Sequence, residues 1–335
     1  MGVDLRLNVS VTLREGTVWA DAGHEVVMRQ LTLNPDLLAA VKSTVKKSSA
    51  PSVSETPAEL TVKGKDFMVV WNREDGNLSS LVYSRQPIFE GAHFQAFRAP
   101  TDNDKSFGNW LAKDWTKNRI DSPVVKCDRL DYRELGNALE VISLQTYSYL
   151  DGSISVESTY TVYGDGTIDL SQSYDRHGNL PELPRLGSVF IAPATLDNVE
   201  WLGYGPAENY PDRLEASSIG RWKAKTVDLY THYPRPQDSG NLESVAQIAL
   251  FDSKGKGLCV TALTSTFSAS AIPYSVEDIY AVSHDCDLTE SGHTYLSLDA
   301  AVLGLGNSSC GPGVLKKYAI APGRHILNVR FTPLK

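Results

Sequence analysis

The sequence predicts an all-β protein with large loops. Two observations carry that expectation. Apolar residues alternate with polar ones at a spacing of two in segment after segment. Helical spacing is scarce, while 17 prolines and 25 glycines punctuate the 335 residues.

Taken in order, Leu5, Leu7, Val9, Val11 and Leu13 set one face of a first strand toward a core, and His24–Leu33 reads as a second. Two strands cannot bury a face alone, and an immunoglobulin-type sandwich needs about seven strands and about 100 residues. The chain is therefore expected to begin inside a domain. Ser43 to Pro57 is rich in Ser, Pro and Lys and lacks alternation, so it reads as a linker. Its last part, 51–57, separates a first unit (1–50) from a second (58–335).

Within the second unit, strands are predicted over Thr61–Trp71, Leu139–Leu150, Ser244–Phe251, Leu258–Leu263, Thr294–Leu303 and His325–Thr332. The clearest hairpin rises through Ile154, Val156, Ser158, Tyr160 and Val162, turns at Gly164-Asp165-Gly166, and returns through Ile168, Leu170, Gln172 and Tyr174. The two glycines are expected to supply positive φ angles to that turn. Asn109–Ile120 is the one predicted helix.

Composition excludes several functions. The hydrophobic fraction of 41% and charged fraction of 21% rule out a disordered chain. Forty acidic residues against 32 basic ones leave a net charge of −8, the wrong sign for a nucleic-acid binder. No run approaches the roughly 20 apolar residues of a membrane span. Four scattered cysteines, Cys127, Cys259, Cys286 and Cys310, fit neither a zinc site nor a disulfide framework. A reduced, cytoplasmic chain is expected.

Three loops combine turn residues, aromatics and carboxylates. In Phe97–Asp104, the residues Asp102, Asp104 and Ser106 imitate the opening of a calcium loop, but Phe107 and Lys113 stand where such a loop needs Gly and Glu. The loop either faces a ligand or caps a turn. Trp201–Arg213 either offers Trp and Tyr faces and Glu208, Asn209, Asp212 and Arg213 to sugar hydroxyls, or pins itself by a buried Arg–carboxylate network. Gly304–Gly313 could cradle an anion on backbone N–H groups but lacks the Lys-Ser/Thr of a phosphate loop. Cys310 there has no histidine tied to it by sequence, so a substrate-contact or structural role is expected over a reactive thiol. Retaining glycosidases need two carboxyls about 5 Å apart, and no motif selects such a pair.

RAPTDND at 98–104 and WLGYGPAENYPDR at 201–213, with WADAGHE at 19–25, resemble the C-terminal region of bacterial β-galactosidases of glycoside hydrolase family 2. The resemblance spans essentially the whole chain. It implies that residues 1–50 are the last strands of an immunoglobulin-like fourth domain, and 58–335 the fifth domain, a galactose mutarotase-like antiparallel super-sandwich. The upstream sugar-binding, immunoglobulin-like and barrel domains become the expected partners. Both catalytic glutamates and the magnesium and sodium sites lie in that barrel, so no catalytic residue, metal or cofactor is expected in this chain.

The resemblance also places Arg98, Asp102, Asn103, Ser309 and Cys310 at the active-site rim, with Trp201, Glu208, Asn209, Asp212 and Arg213 as loop supports. In the best-known members a tryptophan follows the serine, where this chain has Cys310. Related sequences often carry an arginine near Val245–Ala246, which is absent here. The expected function is completion of a retaining β-galactosidase acting on terminal β-D-galactosides such as lactose, with no activity alone, in a possible homo-oligomer. A small subunit of a two-chain enzyme is a variant of this reading. A free-standing carbohydrate-binding module and an aldose epimerase are the alternatives, the latter needing a His and Glu set that His177, His284 and His293 do not supply.

Overall fold

The computed structural model describes residues 4–41, 43–105 and 111–335. Every paired strand in it is antiparallel, and three large sheets form the second unit. The longest has nine strands in the spatial order Ser218–Lys225, Asn198–Gly205, Gln247–Phe251, Gly257–Ala262, His325–Leu334, Ile168–Gly178, Gly152–Tyr163, Ala138–Ser148 and Val124–Glu134. A five-stranded sheet orders Leu242–Val245, Phe267–Ile272, His293–Val302, Arg185–Pro193 and Gly91–Gln95. The other five-stranded sheet is a meander of Ser52–Glu55, Glu59–Lys63, Phe67–Asn72, Leu78–Tyr83 and Gln86–Phe89. This is the antiparallel super-sandwich that the sequence predicts.

The three sheets meet at three phenylalanines, one from each. Phe89 lies 5.0 Å from Phe190 and 5.9 Å from Phe331 between ring centroids, and Phe190 lies 5.3 Å from Phe331. Trp71 meets Tyr160 edge-on at 5.2 Å across the meander and the long sheet. Tilted and T-shaped contacts of this kind add to the burial of large apolar area.

The 154–174 hairpin forms in the predicted register, with Val156 opposite Tyr174 and Tyr160 opposite Leu170. Its turn differs from the expectation. Only Gly166 has positive φ, at 89°. Gly164 is needed for a different reason: a Cβ there would sit 1.7 Å from the Ser49 carbonyl oxygen. The predicted linker therefore packs on this turn. Lys46 N–H donates to Asp165 Oδ2 at 2.7 Å, and Arg330 Nη1 donates to the Ser43 carbonyl at 3.1 Å. Ser52–Glu55, within the same predicted linker, is the edge strand of the meander, because its backbone finds a partner in Glu59–Lys63.

Two predicted strands each prove to be two. Thr61–Trp71 is broken by a turn at 64–66 between Glu59–Lys63 and Phe67–Asn72. Ser244–Phe251 changes sheets at Ala246, whose N–H donates to the Leu202 carbonyl at 2.8 Å. The predicted helix appears as Leu111–Asn118; Asn109 and Trp110 lie outside the described residues.

The N-terminal strands Leu5–Thr12 and Glu25–Asn34 form a separate two-stranded hairpin. Its orientation is inverted relative to a surface hairpin. The polar face meets the body at Gln30, whose Nε2 donates to the Ile219 carbonyl at 2.8 Å and whose Oε1 accepts from Ile219 N–H at 3.0 Å, mimicking a strand on the edge of the long sheet; Asn8, Ser10 and Thr32 on that face stay exposed. The apolar face turns outward, leaving Leu5, Leu7, Val9 and Val11 exposed by 52, 46, 47 and 55%. Leu31 and Val27, opposite Leu7 and Val11, are exposed with them.

Candidate functional site

The three loops singled out in the sequence come together. Arg98 is the buried pin. It is 1% exposed and forms a two-point ion pair with Asp104, itself fully buried, through Nε to Oδ2 at 3.0 Å and Nη2 to Oδ1 at 2.7 Å. Its remaining donors go to the carbonyls of Leu303 at 2.9 Å and Gly304 at 3.2 Å, and its guanidinium lies 5.6 Å from the Trp115 ring centre. Burial works against the charge, but the Asp104 carboxylate outweighs it and raises the Arg98 pKa. The rim role expected for Arg98 is thus corrected. With its donors spent inside the protein, Arg98 fastens the 98–104 loop to the 303–310 loop from behind.

In front of that pin stand the other expected rim residues. Asn103 Nδ2 donates to the Gly306 carbonyl at 3.0 Å, while its Oδ1 accepts from Ser309 N–H at 3.0 Å and Ser309 Oγ at 2.7 Å. Asp102, Ser309 and Cys310 are exposed. Asp104 also accepts from Thr101 N–H at 2.8 Å, so the carboxylate that imitates a calcium ligand is the anchor of Arg98 instead. Ser106 and Phe107 lie outside the described residues. Among the described residues no group of three or more His, Cys, Asp or Glu could hold a metal ion.

The Gly-rich turn does cradle an anion, and that anion belongs to the protein. Asp212 Oδ1 accepts from Leu305 N–H at 2.9 Å and Oδ2 from Gly306 N–H at 2.8 Å. Gly304 is required beneath it, since a Cβ would come within 2.8 Å of the Asp212 carboxyl carbon. Arg213 then reaches over to Asn307 Oδ1 at 2.8 Å. An external anion in the cradle is therefore ruled out for these two amides.

The rest of the 201–213 loop is held by neighbours that the sequence does not pair. Glu208 accepts from Gly240 N–H at 2.8 Å and from the Tyr233 hydroxyl. Buried Asn209 accepts from Glu243 N–H at 2.7 Å and receives Asn241 Nδ2 on its carbonyl at 2.8 Å. Tyr210 donates to Asp238 at 2.9 Å, and Trp201 Nε1 to the Tyr204 carbonyl at 2.9 Å. Gln237 accepts from Asp102 N–H at 2.9 Å, closing the cluster. Sequence reasoning does not single out Gln237, Asp238 or Asn241. The turn-forming run Pro236–Asn241 is the one signal that could have found them. His284 and His293 pair on the surface with Asp287 and Glu90, at 3.4 and 3.3 Å, away from this cluster's hydrogen bonds.

The class that these features define is a large antiparallel sandwich that ties three long loops into one hydrogen-bonded cluster. The chain belongs to the beta galactosidase small chain family, whose match covers residues 63–332. It is 27% identical to a Beta-galactosidase of Halalkalibacterium halodurans over 94% of this chain and 31% of that protein. A Beta-galactosidase of Priestia megaterium is 30% identical over 90% of this chain and 28% of its own length. The chain thus spans less than a third of these curated relatives, 31% and 28%. Among solved structures, the galactose 1-epimerase of Lactobacillus acidophilus superposes with a TM-score of 0.46 at 9% identity, over 85% of this chain and 99% of its own.

Proposed function

We propose that this chain is the C-terminal part of a retaining β-galactosidase of glycoside hydrolase family 2. In this reading it completes and narrows an active site whose two glutamates stand on an upstream barrel. Asp102, Asn103, Ser309 and Cys310 form the rim; Arg98, Asp212 and Arg213 hold it from behind. The substrate is a terminal β-D-galactoside such as lactose, bound before a double displacement in which one glutamate attacks and the other donates and then removes a proton. Magnesium and sodium belong to the upstream part, and the whole enzyme acts in the cytoplasm as a homo-oligomer.

The observation that carries this reading is the inverted hairpin. A strand pair that docks on its own body through Gln30 and presents Leu5, Leu7, Val9 and Val11 to solvent is built to be covered. Further strands of an immunoglobulin-like sandwich, supplied from upstream, fit that face. The loop carboxylates support the absence of activity in the isolated chain: Asp104, Asp212 and Glu208 are all engaged in fixing backbone or arginine.

Leu7→Lys tests the interface. Leu7 is exposed in this chain, so its stability should change by no more than about 0.5 kcal/mol. Sedimentation of an equimolar mixture with an upstream chain carrying the barrel should show the complex for the native sequence and loss of it for Leu7→Lys. An undiminished complex would remove the hairpin from the interface.

A further inference from the structure

Alternation gives the Leu242–Val245 to Gly91–Gln95 sheet two unlike faces. Phe94, Leu186, Phe190, Leu296 and Leu298 point into the core. Between them, Gln95, Arg185, Ser270, Ser297 and Asp299 form a polar layer, and each is 7% exposed or less. Register places these side chains on one face, with Gln95 opposite Gly187, Gly187 opposite Asp299, and Ser270 opposite Ser297. Burying such a layer is costly unless each polar atom finds a partner.

Most do, but two do not. Arg185 Nη2 donates to Asp299 Oδ2 at 2.9 Å, whereas Arg185 Nε and Gln95 Oε1 have no partner. Both residues line one cavity of about 20 Å³, roofed by Asp238 and the helix Val276–Ala281. That is room for a single water or a single ligand hydroxyl. Gln95, His93 and Glu277 also line a neighbouring groove of about 330 Å³, whose other walls include Phe97, Tyr147 and Tyr149. A groove of this size falls at the lower end of the ~300–1,000 Å³ of small-molecule sites.

We propose that this groove is a second sugar site, binding a neutral pyranose ring with one hydroxyl seated between Gln95 and Arg185. A hydroxyl carries both functions that the orphans lack, a donor for Gln95 Oε1 and an acceptor for Arg185 Nε. The aromatic walls suit the C–H face of a pyranose. Charge selects against anions, because Arg185 is already matched by Asp299 and faces Asp238 at 3.9 Å, with Glu277 at the groove. Burial lowers the His93 pKa against the opposing pull of Glu277 and Asp75. Asn103, Ser309 and Cys310 line neither the cavity nor the groove, so the proposal does not depend on the role proposed for them.

Saturation-transfer NMR on the full chain tests this, with methyl β-D-galactopyranoside, methyl β-D-glucopyranoside and galactose 1-phosphate as probes. At least one neutral glycoside should bind saturably in the millimolar range, and the phosphate more weakly. Gln95→Met should weaken the glycoside about tenfold, by removing one buried hydrogen bond. Val125→Lys, at an exposed wall of the groove, should weaken it without touching the core. No saturable signal for either glycoside up to about 100 mM, tighter binding of the phosphate, or native affinity in both groove variants would overturn the proposal. If Gln95→Met fails to fold, Val125→Lys carries the test alone.

Discussion

Removal of the Asn103 side chain is the sharpest perturbation of the rim. Asn103→Ala takes away three hydrogen bonds, to the Gly306 carbonyl at 3.0 Å, from Ser309 N–H at 3.0 Å and from Ser309 Oγ at 2.7 Å. Each is worth about 0.5–1.5 kcal/mol net, and their partly exposed setting favours the lower half of that range. The 306–310 turn should therefore lose about 1.5–3 kcal/mol of local stability, while Arg98 and Asp212 keep the loops' bases in place. Amide hydrogen exchange reads this directly. The Ser309 N–H should exchange about 10–100-fold faster, with the Leu305 and Gly306 amides, bonded to Asp212, far less affected. In a reconstituted enzyme kcat/KM should fall by up to about 100-fold, the cost of misplacing a rim group by about 1 Å. Native exchange at Ser309 in the variant would refute the staple, whatever the activity.

Two further outcomes follow from buried charges. Asp212→Ala should leave the Leu305 and Gly306 amides unpaired and cost about 2–4 kcal/mol in urea unfolding; if the variant instead binds sulfate in the emptied cradle, added sulfate should restore part of the loss. Glu243 is pushed up to about 7 by burial, against hydrogen bonds from Asn241 and Ser268, with Asp299 and Asp212 adding to the rise. Asp299 is likewise raised, to about 6, by burial that Arg185 only partly offsets. A carboxyl raised on folding binds more protons folded than unfolded, so its contribution is full below the unfolded pKa and lost as pH rises through the folded one. Stability should accordingly fall between about pH 4.5 and 7. Glu243→Gln should flatten the upper part of that fall, which paired urea titrations at pH 5 and 8 would show; an unchanged slope would contradict the assignment.

The strands with one solvent-facing side were legible, and those covered on both sides were missed. Ile154 to Tyr174 alternates strictly because one face meets the core, and its register followed residue by residue. Arg185–Pro193 and Phe267–Ile272 are buried on both faces, so no row of charged, solvent-facing residues marks them. The loops could be picked out by composition, but of the buried Arg–carboxylate network expected in 201–213 only the carboxylates take part: Glu208 and Asp212 bind backbone N–H groups, while the Arg213 side chain is 38% exposed. Their partners could not be named, because Asp212 and its amides lie 93 and 94 residues apart, and Arg98 and Leu303 are 205 apart. Turn composition likewise suggested an anion cradle at 304–306 without revealing that a side chain already fills it.

The most direct measurement is hydrolysis of a chromogenic β-galactoside by this chain, by an upstream β-galactosidase chain carrying the barrel, and by their mixture. The proposed division, with the catalytic carboxyls upstream and the rim here, predicts turnover in the mixture alone. Turnover by the purified chain alone would contradict the central claim, because it would require a catalytic carboxyl pair within these 335 residues.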